Sequence, residues 1–440
     1  MAVVIRHATL VSFEHATVEP DAAVRVEGGR IAALGPDAAV RVDPGDEVID
    51  AGGRLVCPGF VSLHTHLYST FATGMAVGPA ATFVQVLETL WWRLDKGLTL
   101  DDAYWSALVP LTRSVRKGFT TLFDHHAAPN AVDGSLDRID QARAEVGLRA
   151  VLAYEVSDRD GSAIRDAGVA ENLRFARAAK ARGDGMAAGA FGLHASFTLS
   201  DDTLARVAAE PDALAAGVHV HVAEDKADVT LTRERAGQGI LARFDRFGLL
   251  NGRSLCAHGV HLDAAELDLL AARGGILIHN PQSNLNNAVG FLDLVGRDLS
   301  HPLTCLGSDG MTQGLLEEVR ASVFAHHHLH AHPQAAFLEP VTLLVKNNYE
   351  AARRFLDPDL GRLAVGAPAD LVVFDYLPYT PITPDNLAGH LVFGLSQVEA
   401  RDVLVNGRWA LRDRTLPDLD EARLAAKARE HAAALWRRIG

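Results

Sequence analysis

Two histidines, two residues apart, close the run Cys57-Pro58-Gly59-Phe60-Val61-Ser62-Leu63-His64-Thr65-His66. In an extended strand residues i and i+2 share a face, so His64 and His66 aim two imidazoles at one point, where a strand stops and a loop begins. Paired imidazoles suit a divalent metal of intermediate softness, zinc above all and then iron. A lone His-x-His is a weak signal, since short pairs of this kind commonly reflect packing. Its weight depends on whether later strands also end in histidine or carboxylate. They do.

Asp124-His125-His126 follows the second strand-like run, His194 the fourth, and His219-Val220-His221 the fifth, with Glu224 three residues on. His258 follows the sixth with His261 beyond, His279-Asn280 the seventh, and Ser308-Asp309 the eighth. At one mouth, three imidazoles and one carboxylate hold zinc or iron with room for a water, which marks a catalytic rather than a closed structural site.

The elements that must position these residues alternate in type. Strand candidates are 55–63, 120–124, 148–154, 187–193, 217–222, 254–257, 275–278 and 303–307, with helical segments such as 101–117, 137–145, 169–181 and 264–273 between them. Strands alternating with helical crossovers imply a parallel sheet, and eight of them fit a (β/α)8 TIM-type barrel. A doubly wound open sheet competes; closure is preferred because it brings the polar strand ends together. Short alternating runs before Val56 (Val3–Ile5, Ala23–Val26, Arg30–Leu34, Glu47–Asp50) and after Leu363 (Ala369–Phe374, Val403–Trp409) predict a small β-sandwich domain assembled from both termini. The expected division is 1–56 and 363–440 for that domain, the latter ending in a helix over about 419–439, and 57–362 for the barrel.

Composition bounds the function classes. The chain has 440 residues, 48% hydrophobic and 22% charged, enough for a sizeable core and too apolar for global disorder. A net charge of −13 with no long basic run excludes a nucleic-acid footprint. No apolar run approaches membrane length, and Cys57, Cys256 and Cys305 read as reduced, buried thiols. The expectation is a soluble cytoplasmic protein acting on a small molecule, with no nucleic-acid or membrane partner and with homo-oligomer formation left open.

Taken together, PGFVSLHTH, GLHASFT, HVHVAE, CAHGVHL, IHNPQSNL, GSDG and GRLAVGAPADLVVFD resemble the amidohydrolase superfamily, in its branch of cytosine, guanine and adenosine-type deaminases and triazine hydrolases. LWWRLDKGLT and FDHHA are similar to the SsnA-like aminohydrolases. The resemblance implies His64, His66, His221 and Asp309 as ligands of one divalent metal, zinc first and iron second. It implies Glu224 as proton shuttle, His258 as a hydrogen-bonding partner of the attacking water or the developing charge, and His194 as a substrate contact; His125 and Asn280, at strand ends, are further candidate substrate contacts, with His125 and His126 evenly divided between pocket wall and structural hydrogen-bonding. No lysine lies near the end of the fourth strand, where a two-metal member would carry one. The implied activity is replacement of an exocyclic amino group on a purine, pteridine, pyrimidine or triazine by hydroxyl, with release of ammonia. Opening of a cyclic amide, displacement of another leaving group, and a non-enzymatic binding role are the alternatives. The segments Asn284-Leu285-Asn286-Asn287 and Gly310-Met311-Thr312-Gln313-Gly314 depart from the deaminase pattern, which puts the substrate rather than the metal chemistry in question.

Several histidines have plainer readings. His219 lies one pleat deeper than His221 and reads as a core histidine. His261 reads as a loop cap, and the run His326-His327-His328 with His330 and His332 as an ordinary helix with one or two rings facing the pocket. Trp91 and Trp92 sit in the insertion over 67–97, which either closes over a ligand or makes a subunit contact.

Overall fold

The computed structural model describes residues 2–440. Five strands open the chain: β1 (Val3–Ser12), β2 (Thr17–Glu27), β3 (Arg30–Pro36), β4 (Glu47–Asp50) and β5 (Leu55–Pro58). Nine follow in the central region: β6 (Phe60–Thr65), β7 (Phe119–His126), β8 (Arg149–Tyr154), β9 (Ala187–Gly189), β10 (Phe191–Ala195), β11 (Val218–Val222), β12 (Leu255–His258), β13 (Ile276–His279) and β14 (Leu303–Leu306). Three close it: β15 (Leu371–Phe374), β16 (Ala400–Val405) and β17 (Arg408–Leu411).

The terminal strands join one mixed sheet in the order β17-β16-β15-β5-β1-β2-β3, with β4 also on β1. Two glycine turns shape it. Gly28 and Gly29 between β2 and β3, and Asn406-Gly407 between β16 and β17, all have positive φ, as two-residue hairpins require. The two turns pack together so closely that a Cβ on Gly407 would lie 2.7 Å from the Gly29 Cα. Strand β1 is bulged between Ile5 and Ala8 and changes partner there, from β4 to β5.

The central strands are all parallel to their neighbours and form two sheets, β6-β7-β8-β9 and β10-β11-β12-β13-β14. Single parallel bridges link them, Val156 to Leu193 on one side and Thr65 to Asp309 on the other. Their apolar residues (Val61, Leu63, Phe123, Val151, Leu255, Ile276, Ile278) share one buried cluster. The helices expected over 101–117, 137–145, 169–181 and 264–273 are Leu100–Arg116, Ser135–Val146, Ser162–Arg182 and Ala264–Ala272.

The expected first strand, 55–63, is two strands. Pro58 has no N–H to offer, and Gly59 turns the chain, its own N–H donating to the Asp370 carbonyl at 3.0 Å. A Cβ on Gly59 would sit 2.1 Å from Thr120 Cγ2, so only glycine fits the crossing. β5 therefore belongs to the terminal sheet and β6 to the central one. The expected strand 187–193 is interrupted at Ala190 and runs on to Ala195.

A buried bidentate ion pair ties the two regions together. Arg149 on β8 donates from Nε and Nη2 to the two Asp370 oxygens at 2.7 and 3.0 Å, and both side chains are 2% exposed. Arg149→Met is expected to lower stability by about 3–5 kcal/mol, because Asp370 is left buried without its countercharge. Urea unfolding measures it; a loss below about 1 kcal/mol would show that Asp370 finds another donor.

The terminal helix, Glu421–Ile439, packs beneath the insertion after β6. Thr99 and Asp102 form a capping box at the start of Leu100–Arg116, and the second Asp102 oxygen takes a 2.8 Å contact from His431 Nδ1. Arg438 donates to the Gly97 carbonyl at 3.0 Å and Trp436 Nε1 to the Phe71 carbonyl at 2.7 Å. These contacts fix the segment Phe83–Gly97, which bears Trp91 and Trp92. No helix among the described residues is long and apolar enough to cross a membrane.

Candidate active site

The C-terminal ends of the central strands gather around one cleft, of empty volume about 670 Å³ including its mouth. His64 ends β6 fully buried, and its Nδ1 lies 2.8 Å from His219 Nε2. That contact occupies the Nδ1 edge and leaves His64 Nε2 with no hydrogen-bond partner, 3.5 Å from Asp309 Oδ1. His66 Nδ1 donates to the His125 carbonyl, and His221 Nδ1 donates to the His194 carbonyl at 2.9 Å. Both rings are thereby held in the tautomer whose Nε2 carries the free lone pair. Those two Nε2 atoms stand 3.1 Å apart, and His66 Nε2 is 3.1 Å from Asp309 Oδ1.

Lone pairs converging on a carboxylate repel unless a cation sits among them, so the donor set fits a divalent metal. Ligand atoms of His64, His221, His258 and Asp309 lie within 4.8 Å of one another, as do those of His66, His125 and His221. Burial pushes His64 down to about 3 and His221 well below the usual histidine range, keeping both neutral, the form that ligates. Burial raises the cost of ionising Asp309, yet His64 and His66 outweigh it and hold the carboxyl well below its usual range. For His66 burial opposes the charge, but contact with Asp309 outweighs it and raises the ring to about 9, a proton on Nε2 then taking the place among these atoms that a metal ion would fill.

The backbone aims the remaining groups. Ala223, His258 and Asp309, each at a strand end on the cleft, all adopt positive φ (48°, 75° and 50°), a costly conformation for non-glycine residues. At Ala223 the turn separates His221 from Glu224 and swings the carboxylate into the cleft; the Ala223 N–H donates to Asp228 at 2.8 Å. Glu224 Oε2 lies 3.5 Å from His258 Nε2 and Oε1 3.4 Å from the Asn287 amide. His258 Nδ1 donates to Asn284 Oδ1 at 2.9 Å, which leaves Nε2 free to face Glu224 and Asp309. Burial, reinforced by the Asp309 charge and opposed by His258, pushes Glu224 up to about 7, where a carboxyl can both take and give a proton near neutrality.

Of the expected substrate contacts, His194 lines the cleft, with Trp92 and Phe197 6.0 and 5.9 Å from its ring. His125 and Asn280 stand behind the wall. His125 Nε2 donates to the His219 carbonyl at 3.1 Å, and Asn280 approaches His258 Nδ1 at 3.5 Å. His219 supports His64, as its deeper pleat implies, and His261 donates to the Val289 carbonyl. No ring of the 326–332 cluster lines the cleft: His326 packs on Phe291 and accepts the Leu294 N–H, and His330 pairs with Asp293. Trp91 and Trp92 line the cleft with Tyr68, Phe83 and Phe197.

The charged wall residues Asp95, Glu155, Arg159 and Asp228 lie outside the sequence-derived set. Glu155 had a visible signal, being the residue directly after the third strand. Its carboxylate lies 3.5 Å from His125 Nδ1, 3.8 Å from His194 Nε2 and 3.2 Å from Arg159 Nη1.

The chain is similar to known proteins along nearly its whole length. A 5-methylthioadenosine/S-adenosylhomocysteine deaminase of Haloarcula marismortui is 32% identical over 440 residues, 96% of each chain. A 5'-deoxyadenosine deaminase of Methanosarcina mazei is 28% identical over 96% of this chain and 97% of its own. Among solved structures, an adenosine deaminase from Xanthomonas campestris with bound zinc superposes with a TM-score of 0.85 at 25% identity, covering 98% of both chains. Residues 55–410 match the amidohydrolase family, whose members and structural neighbours imply a TIM-barrel fold and hydrolysis of C–N bonds. The chain belongs to the amidohydrolase family.

Proposed function

We propose that this chain is a metal-dependent aminohydrolase that replaces an exocyclic amino group of a nitrogen heterocycle by hydroxyl and releases ammonia. The observation that carries the reading is His66 Nε2 standing 3.1 Å from both His221 Nε2 and Asp309 Oδ1, beside Glu224. Relatives named as deaminases of adenosine derivatives support a purine-type substrate. His64, His66, His221 and Asp309 would hold the metal, zinc by analogy with the Xanthomonas structure, leaving His258 for the reacting groups.

A bound divalent ion supplies Lewis acidity, which makes a water acidic enough to attack near neutral pH. Glu224 takes the proton of that water and returns it to the departing amine. His258 Nε2, fixed by Asn284, hydrogen-bonds the charge that grows on the attacked side. The aromatic walls hold the flat ring, and His194 contacts it from the fourth strand. The same reading closes the two central sheets into a (β/α)8 barrel over 57–362 through the Thr65–Asp309 and Val156–Leu193 bridges. It takes 1–56 and 363–440 as the flanking β-sandwich domain.

The test is ammonia release by purified, zinc-loaded protein against purine nucleosides, pterins, cytosine and aminotriazines. Ammonia with a hydroxylated ring is expected from at least one class. A ring-opened product without ammonia, or no turnover of any class, would overturn the reading.

A further inference from the structure

The charged end of the cleft is already committed to itself. Arg159, its side chain 9% exposed, is the only guanidinium on the cleft wall among the described residues. Its Nη2 bonds Asp95, its Nη1 lies 3.2 Å from Glu155 Oε1, and its Nε donates to Asp160 Oδ2 at 3.2 Å. Its face lies against Trp92, with Cζ 5.2 Å from the ring centroid. A guanidinium recognises a carboxylate or phosphate through a two-pronged fork, and here every nitrogen already has a carboxylate. The carboxyl groups of Asp95, Glu155, Glu224, Asp228 and Asp309 line the same cleft. The rest of the wall, from Phe83, Trp91, Trp92 and Phe197, is aromatic and suits a flat uncharged group.

We propose that Asp95, Arg159 and Glu155 are a specificity element: the cleft takes amino-heterocycles whose other substituents are uncharged or cationic, and rejects those bearing a free carboxylate or phosphate. The proposal rests on the aminohydrolase reading and names its substrate class. It separates the two compounds for which the Haloarcula relative is named. 5'-Methylthioadenosine and S-adenosylhomocysteine share adenine, ribose and a thioether, but the second ends in an amino acid with a carboxylate. An entering carboxylate finds each Arg159 nitrogen already beside a carboxylate and meets like charge, so it competes with Asp95 and Glu155 for the guanidinium.

Two pairs that differ by a carboxylate test this on the zinc-loaded full chain: 5'-methylthioadenosine with S-adenosylhomocysteine, and pterin with pterin-6-carboxylate. Ammonia release gives kcat/KM and calorimetry gives Kd. The uncharged member of at least one pair is expected to be favoured by about 10²-fold or more. Asp95→Ala, which frees one prong of the fork, is expected to narrow that gap about tenfold. If the variant does not fold, the wild-type comparison decides alone. Equal handling of both members, preference for the carboxylate, no binding by any of the four, or a gap that Asp95→Ala leaves unchanged would each overturn the proposal. Ammonia from both members at equal efficiency overturns the discrimination and keeps the aminohydrolase reading. Selective binding without ammonia keeps the discrimination and overturns that reading.

Discussion

Glu224→Gln is expected to lower kcat by roughly 10²–10⁴-fold, the usual worth of a placed general acid–base, while fold and bound metal are retained. The amide matches the carboxylate in size but can neither accept the water proton nor deliver it. Its Oε1 can still accept from Asn287, so the side chain keeps its place. KM is expected to move far less than kcat, because the missing interaction matters chiefly in the transition state. If Glu224 only orients the cluster, the variant should instead bind metal more weakly and recover with excess zinc. Measuring kcat of the variant against added zinc separates the two, and recovery would remove Glu224 from the reaction.

His221→Ala is expected to fail differently, with metal and activity lost together. Its Nε2 is one of the atoms converging on Asp309, and its Nδ1 is tied to the His194 carbonyl, so the ring cannot be replaced by a neighbour that swings in. Loss of one ligand of four costs metal affinity by at least the 10–100-fold seen when only a supporting partner is removed. Metal content after dialysis should fall to near zero in this variant while Glu224→Gln stays loaded. Full retention of metal by His221→Ala would take the residue out of the ligand set.

The cluster was legible because strand geometry does the work. His64 and His66 share a face by the two-residue period, and His221, His258 and Asp309 each sit where an apolar run stops, so parallel topology brings their side chains together. Glu224 was legible for the same reason, although the turn that aims it depends on the unusual backbone at Ala223. The far end of the cleft was not. Asp95 and Arg159 are distant in sequence and meet only because the insertion after β6 folds back over the third strand end, held from below by the terminal helix. The continuous apolar run 55–63 hid the break at Gly59, since burial on both sides looks alike along the chain whether it stays in one sheet or crosses between two. His326 misled for the opposite reason. A histidine-rich helix suggests a ligand-facing ring, yet this imidazole satisfies the Ser322 carbonyl and the Leu294 N–H in a buried corner behind Phe291.

The most direct test of the central claim is ammonia release from an adenosine derivative by wild-type protein stripped with a chelator and titrated back with zinc. Activity is predicted to vanish on stripping, and to return in proportion to zinc until about one ion is bound per chain, the number expected if His64, His66, His221 and Asp309 are the ligands. Undiminished ammonia release from the stripped protein would contradict the account.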